Sequence, residues 1–198
     1  SHQTTLIATT ALLFKLGIAP IHLWYPEILQ GTTMNIALTI ATWQKIAPMS
    51  LLMLMHAHLP TTLIILMGLA SALIGGLTGL NQTQTRKIMA FSSIAHMGWL
   101  LMTLMLNPQL TALTLTIYII TTIATFTPLT TTTTKTITDT NTAGSSSPML
   151  LTLTMLSLMS LGGLPPLTGF LPKLLILDGL ITKTLIPLGT IIALTSLP

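Results

Sequence analysis

Long apolar runs, separated by short clusters of glycine, proline and polar residues, organise this sequence from end to end. They cover residues 4–18, 34–55, 61–80, 88–106, 110–129, 149–161 with a resumption at 170–181, and 185–197. Several reach the ~20 residues that a helix needs to cross the hydrocarbon core of a bilayer. Strands of a membrane barrel would be about ten residues long and would alternate strictly. These runs are apolar on all sides, so helices are expected. The predicted fold is all-α, a polytopic transmembrane helix bundle of about seven spans in a single domain over residues 1–198.

Two of the runs are interrupted. The first breaks at Gly17-Ile18-Ala19-Pro20, and the run at 149–161 breaks at Gly162-Gly163-Leu164-Pro165-Pro166. Between the first break and the second run, residues 22–27 form a short amphipathic stretch whose aromatics suit a membrane–water interface. Residues 81–87 read as a polar turn, and Asn107-Pro108 as a helix stop followed by a new start. The stretch 130–148, rich in threonine and then serine, is expected to be an exposed connecting loop. In the run at 61–80, Gly68, Ala72, Gly75, Gly76 and Gly79 fall on one stripe, which predicts close packing against another helix.

Composition supports a bilayer as the solvent. Only 5% of the 198 residues are charged and the mean hydropathy is +0.84, whereas soluble domains carry about a quarter charged residues. The net charge of +4 comes from scattered side chains, of which only Arg86 and Lys87 adjoin. A basic nucleic-acid footprint needs clustering on one face, so that class is excluded. The sequence has no cysteine, hence no disulfide framework and no thiolate metal site. It also has no valine but abundant threonine and 12 methionines. Methionine and isoleucine codons differ from valine codons at the first base, so a guanine-poor, organelle-encoded gene is expected. Ser1 is not an initiator, and no basic segment with a cleavage site opens the chain. The sequence therefore reads as an internal piece of a longer chain.

Against this background the isolated cations carry the chemistry. Lys45 lies about eleven residues from either end of its run, at a depth where a lysine costs ~2.5–3.5 kcal/mol. Snorkelling to the interface needs a nearby span end, so a functional role is expected. Lys15 stands just before the first break and Lys173 just after the second. Freed backbone carbonyls are tolerated there only inside protein or beside water, and lysine exchanges protons readily in such places; the alternative for both is snorkelling from a helix that stops at the break. Broken segments in both halves of a chain point to transporter-like sites built from inverted repeats. His96 falls mid-run, four residues after Ser92, and reads either as a proton relay or as a core histidine bonded to Ser92 or a carbonyl. His56 and His58 sit at a run end. His22 and Glu27 flank the aromatic stretch as loop anchors, and Asp178 is a pair member or second titrating site near Lys173. Phosphate-binding loops, dinucleotide fingerprints, haem-type histidine pairs and nucleophile triads are absent from the sequence.

The order of these motifs carries a resemblance. Lys15-Leu16-Gly17-Ile18-Ala19-Pro20-Ile21-His22-Leu23-Trp24-Tyr25-Pro26-Glu27 is followed by Gln30-Gly31-Thr32 and Trp43-Gln44-Lys45-Ile46-Ala47-Pro48. Then come Gly79-Leu80-Asn81-Gln82-Thr83-Gln84, Arg86-Lys87-Ile88, Ser92-Ser93-Ile94 and His96-Met97-Gly98-Trp99. Last is Leu161-Gly162-Gly163-Leu164-Pro165-Pro166-Leu167-Thr168-Gly169-Phe170-Leu171-Pro172-Lys173. Together these resemble the antiporter-like membrane subunits of respiratory complex I, over nearly the whole chain. The resemblance implies an antiporter-like inverted-repeat fold in the mitochondrial inner membrane, with other membrane-arm subunits of the complex and the lipid bilayer as partners. It implies a buried axis through Lys15, Lys45 and Lys173 that moves protons while NADH reduces ubiquinone. It also implies that NADH, FMN, iron–sulfur clusters and ubiquinone are handled elsewhere, with no cofactor held by this chain. The family pattern pairs its first lysine with a glutamate on an earlier helix, which has no counterpart in this sequence.

The expected mechanism runs in sequence. Lys15 responds to a neighbouring charge, Lys45 receives a proton through water with His96 as a side relay, and Lys173 passes it towards one face. Each step biases the next by Coulomb interaction in a low dielectric. A stand-alone cation/proton antiporter and a purely structural scaffold are the competing readings.

Overall fold

The computed structural model describes residues 2–132, 136, 148–165, 167–182 and 186–195. It comprises α1 (His2–Leu16), α2 (Trp24–Gly31), α3 (Met34–Leu54), a single 3-10 turn (His56–His58), α4 (Thr61–Leu80), α5 (Thr85–Leu106), α6 (Pro108–Thr132), α7 (Pro148–Gly162), α8 (Phe170–Thr182) and α9 (Ile186–Thr195). Among the described residues the sole strand-like pairing is an isolated bridge between Gln84 and Thr136. Helices α3, α4, α5 and α6 are each long and apolar enough to cross a membrane. The other predicted runs form shorter helices: 15 residues each for α1 and α7, 13 for α8 and 10 for α9.

Both breaks are built in the same way, and the reason lies in the backbone. Gly17 and Gly163 take the left-handed conformation, at φ of 72° and 79°, which a side chain resists and glycine does not. At the first, Gly17 N–H donates to Phe14 O and Ile18 N–H to Leu13 O. At the second, Gly163 N–H donates to Ser160 O and Leu164 N–H to Met159 O. This paired bonding closes a helix and leaves its last carbonyls free for other donors.

Several boundaries differ from the sequence pattern. The polar turn at 81–87 gives way at Thr85, where α5 begins, because the unpaired N–H groups of a helix's first turn tolerate polar residues. The aromatic stretch at 22–27 is not a surface loop throughout. It enters α2 at Trp24, and α2 buries Tyr25, Pro26 and Leu29. The connection expected at 130–148 starts later, since α6 runs to Thr132. The rest of that connection lies outside the described residues apart from Thr136 and Pro148.

Threonine fits these apolar helices because its hydroxyl is satisfied locally. Thr103 donates to Leu100 O at 2.7 Å, Thr111 to Asn107 O at 3.0 Å and Thr122 to Tyr118 O at 2.8 Å. With its hydroxyl returned to the helix's own backbone, threonine packs like the valine that the sequence lacks, and Thr9, Thr103 and Thr111 are fully buried. The same device mends a proline. Pro128 lies inside α6 and cannot donate to Ala124 O, and Thr127 donates there instead.

The small-residue stripe meets α5. A Cβ on Gly75 would stand 2.6 Å from Ala95 N, and one on Gly98 would stand 2.6 Å from both Gly68 O and Ser71 Oγ. Backbones therefore touch along α4 and α5, as small residues allow in lipid. The remaining core falls into two main clusters. One gathers Leu13, Leu16, Met49, Leu52, Met97 and Leu101, and the other Tyr25, Leu29, Ala37, Ala41, Ile94 and Phe126.

Arg86 ties α2 to the start of α5. Its Nη1 donates to Thr32 O at 2.6 Å and Gln30 O at 3.1 Å, supplying a cation where the α2 dipole ends negative. Arg86→Ala is expected to cost about 1.5–3 kcal/mol of local stability, the range for hydrogen bonds from a charged donor. Hydrogen–deuterium exchange at residues 24–32 checks this. Faster exchange there with α4 unchanged is the expected outcome.

Candidate functional site

Lys45 sits on α3 one turn from Ala41 and one turn from Met49, where the two core clusters meet. It is 2% exposed, so snorkelling is excluded. Its Nζ donates to Tyr118 Oη at 3.3 Å, and that hydroxyl donates to Ala41 O at 3.1 Å. The ammonium also lies 4.6 Å from the Tyr25 ring centre and 5.3 Å from that of Tyr118. A desolvated cation–π contact contributes about 2 kcal/mol, so the two rings are on the scale of the ~2.5–3.5 kcal/mol that a mid-membrane lysine costs. The two carboxylates among the described residues, Glu27 and Asp178, are both exposed.

His96 on α5 joins this group from the other side of Tyr118. The ring centres are 5.6 Å apart. His96 Nδ1 stands 2.8 Å from Ser92 O. A carbonyl only accepts, so Nδ1 carries the proton and Nε2 is the acceptor in the neutral ring. The core-histidine reading and the relay reading thus coincide: one nitrogen is anchored and the other is available.

Lys173 opens α8 and reaches back across the second break. Its Nζ donates to Gly162 O at 2.7 Å, a carbonyl freed by the end of α7, and lies 5.9 Å from the Trp99 ring. The side chain is half-buried. Two cavities meet at His96 and Lys173. The smaller, about 30 Å³, is also lined by Tyr118, Thr114, Thr121 and Gly169. The larger, about 290 Å³, is also lined by Ser92, Trp99 and Gly162. A water needs roughly 10–15 Å³ and two to four polar partners, and both cavities meet that requirement.

The structure thus brings three of the four predicted residues together, in the order Lys45, Tyr118, His96, Lys173. Lys15 is not among them. It occupies the last turn of α1 and its side chain is exposed on this chain. His22 is buried, with Nδ1 donating to Pro20 O at 3.3 Å, which anchors the loop. His56 and His58 form the 3-10 turn at the end of α3. Sequence reasoning missed Tyr118 and placed Tyr25 at the interface. A tyrosine hydroxyl eight residues into an apolar run demands a buried partner, and that signal was available. For iron–sulfur or other metal centres the fit is poor. The sequence has no cysteine, and no cluster of three or more metal-ligating side chains occurs among the described residues.

With this geometry in place, comparison with known proteins is decisive. The family model for the transmembrane region of NADH:quinone oxidoreductase and Mrp antiporters matches residues 2–197. The chain belongs to that family. Family members similar to it include NADH-ubiquinone oxidoreductase chain 2 of Varanus melinus, 51% identical over 197 residues, and that of Gallus gallus, 46% identical over 198. Each comparison covers 100% of this chain and 57% of the relative, so the chain spans little more than half the length of these antiporter-like subunits. A chain of respiratory complex I from Thermus thermophilus superposes with a TM-score of 0.84 at 28% identity, covering 93% of this chain and 44% of that one. A chain of the Mrp complex from Dietzia sp. DQ12-45-1b gives 0.84 at 18% identity, covering 97% and 39%, a likeness of fold. As a member of this family the chain is a multi-pass membrane protein with the antiporter-like helical fold.

Proposed function

We propose that this chain is the larger part of subunit 2 of mitochondrial NADH:ubiquinone oxidoreductase and carries protons across the inner membrane as NADH reduces ubiquinone. The observation that carries the reading is Lys45, a buried lysine held by two tyrosines with no carboxylate beside it among the described residues. Such a group costs free energy in a purely structural bundle, which argues against a scaffold. Its environment suits a side chain that alternates between charged and neutral forms. Tyr118 Oη can take a proton from Lys45 while its own, turned away from Ala41 O, leaves to water. His96 Nε2 is the next acceptor, and Lys173, beside the larger cavity, is the exit. Lys15 acts ahead of Lys45 as the group that senses charge arriving from the rest of the complex. Other membrane-arm subunits and lipid cover the apolar surface, and the redox groups reside in other subunits.

The Mrp side of the family keeps a second reading alive, a cation/proton antiporter acting alone. Vesicles containing only the full-length subunit, given a sodium or potassium gradient, separate the two. The expected result is no proton flux above empty vesicles, together with NADH-dependent acidification by the assembled complex. Cation-driven proton flux from the subunit alone would establish the antiporter reading instead.

A further inference from the structure

Tyr25 lies between the first helix break and Lys45. It is one of the largest fully buried side chains, at 1% exposure. Its ring centre lies 4.6 Å from Lys45 Nζ. The same residue packs on the first helix break: a Cβ on Gly17 would come within 3.2 Å of both Tyr25 Cβ and Cγ. Its backbone N–H is fixed to His22 O at 3.0 Å. The hydroxyl is buried without a hydrogen-bonding partner of normal geometry, although Ser93, whose own hydroxyl donates to Ala90 O at 2.8 Å, lies near it. A phenylalanine would fill this space without burying that unbonded oxygen, so the ring is the part of the residue that the fold uses.

We propose that Tyr25 is a positioning residue for proton transfer, holding the Lys45 ammonium and transmitting to it any shift of the break after α1, where Lys15 stands. This rests on the relay reading above. Close-packed interiors leave no slack, and the space beside Gly17 is so filled by Tyr25 that even a Cβ there would crowd Tyr25 Cβ and Cγ at 3.2 Å. A displacement of the Gly17 backbone therefore moves the ring. Movement of the ring changes its distance to Lys45 and with it the hold of Tyr118 on the same ammonium. Lys15 is two residues from Gly17, so its exposed position is no obstacle: its influence arrives through the break and the ring.

The test uses the assembled complex, with protons translocated per electron, ubiquinone KM and complex abundance measured for Tyr25→Leu, Tyr25→Phe and Lys45→Met. Tyr25→Leu is expected to lower proton translocation about thirtyfold, the fold-change for loss of a desolvated cation–π contact, with KM and abundance unchanged. Tyr25→Phe, which keeps the ring, is expected to restore it to within about twofold. Full translocation in Tyr25→Leu overturns the inference, and so does a Tyr25→Phe variant as impaired as Tyr25→Leu, since the hydroxyl would then be the working part. If Lys45→Met itself translocates normally, the relay reading fails; if it does not and Tyr25→Leu does, only the role of Tyr25 fails. Should Tyr25→Leu not assemble, Tyr25→Met, which fills more of the space without a π face, is expected to give the same fall. Normal translocation in assembled Tyr25→Met then overturns the inference.

Discussion

Lys45→Met in the full-length subunit is expected to cut NADH-linked proton translocation by about a hundredfold, the low end of what a positioned proton-transfer group contributes. Methionine matches lysine in length and shape but cannot hold a proton. Lys45 Nζ meets the Tyr25 and Tyr118 rings and the Tyr118 hydroxyl, so a neutral side chain fits there. Tyr118 keeps its bond to Ala41 O and is not orphaned by the change. Abundance of the assembled complex should therefore stay near wild type while translocation falls, and gel quantification beside a pH-indicator assay measures both. Lys45→Arg is expected to fail as well, because a planar guanidinium is larger and does not release its proton in proteins.

The second large effect concerns folding. Gly98→Ala is expected to remove most of the assembled subunit, because the added Cβ would meet Gly68 O and Ser71 Oγ at 2.6 Å and Ala72 N at 2.8 Å. Backbone atoms cannot swing aside, so α4 and α5 must separate, and overpacking of this kind costs about 1–3 kcal/mol. Gly79→Ala, in the flagged stripe on α4, meets only Phe91 Cβ at 3.5 Å, an ordinary contact, and should assemble normally. Immunoblots of the membrane fraction check the pair. Equal abundance of the two variants would show that α4 and α5 are less closely joined than described.

Much of this was legible in the sequence, for identifiable reasons. Four spanning helices followed from uninterrupted apolar runs, and both breaks from glycine followed by proline. The stripe through Gly68 and Gly75 announces a close helix contact, though not that its partner is α5, and Lys45 stands out because no span end lies near it. The polar ranges 81–87 and 130–148 include helix ends, from Thr85 and up to Thr132, because helix termini tolerate polar residues. Tyr25 was misplaced for a related reason. An aromatic beside tryptophan and proline looks interfacial in sequence, while the fold turns that side of α2 inward to face α3. A hydroxyl inside an apolar run marks Tyr118 as needing a buried partner, but that the partner is Lys45 follows only when α6 lies against α3, which has no local signature. The sequence could not say that Lys15 would be exposed while Lys173 reached Gly162 O, since the two breaks look alike and differ in what packs beside them.

The ratio of protons translocated to electrons delivered, measured on vesicles holding matched amounts of wild-type and Lys45→Met complex, tests the account most directly. If protons pass through the buried lysine, electron transfer that survives in the variant carries fewer of them, and the ratio falls. A ratio equal to wild type would contradict the account and reduce Lys45 to a tolerated buried cation.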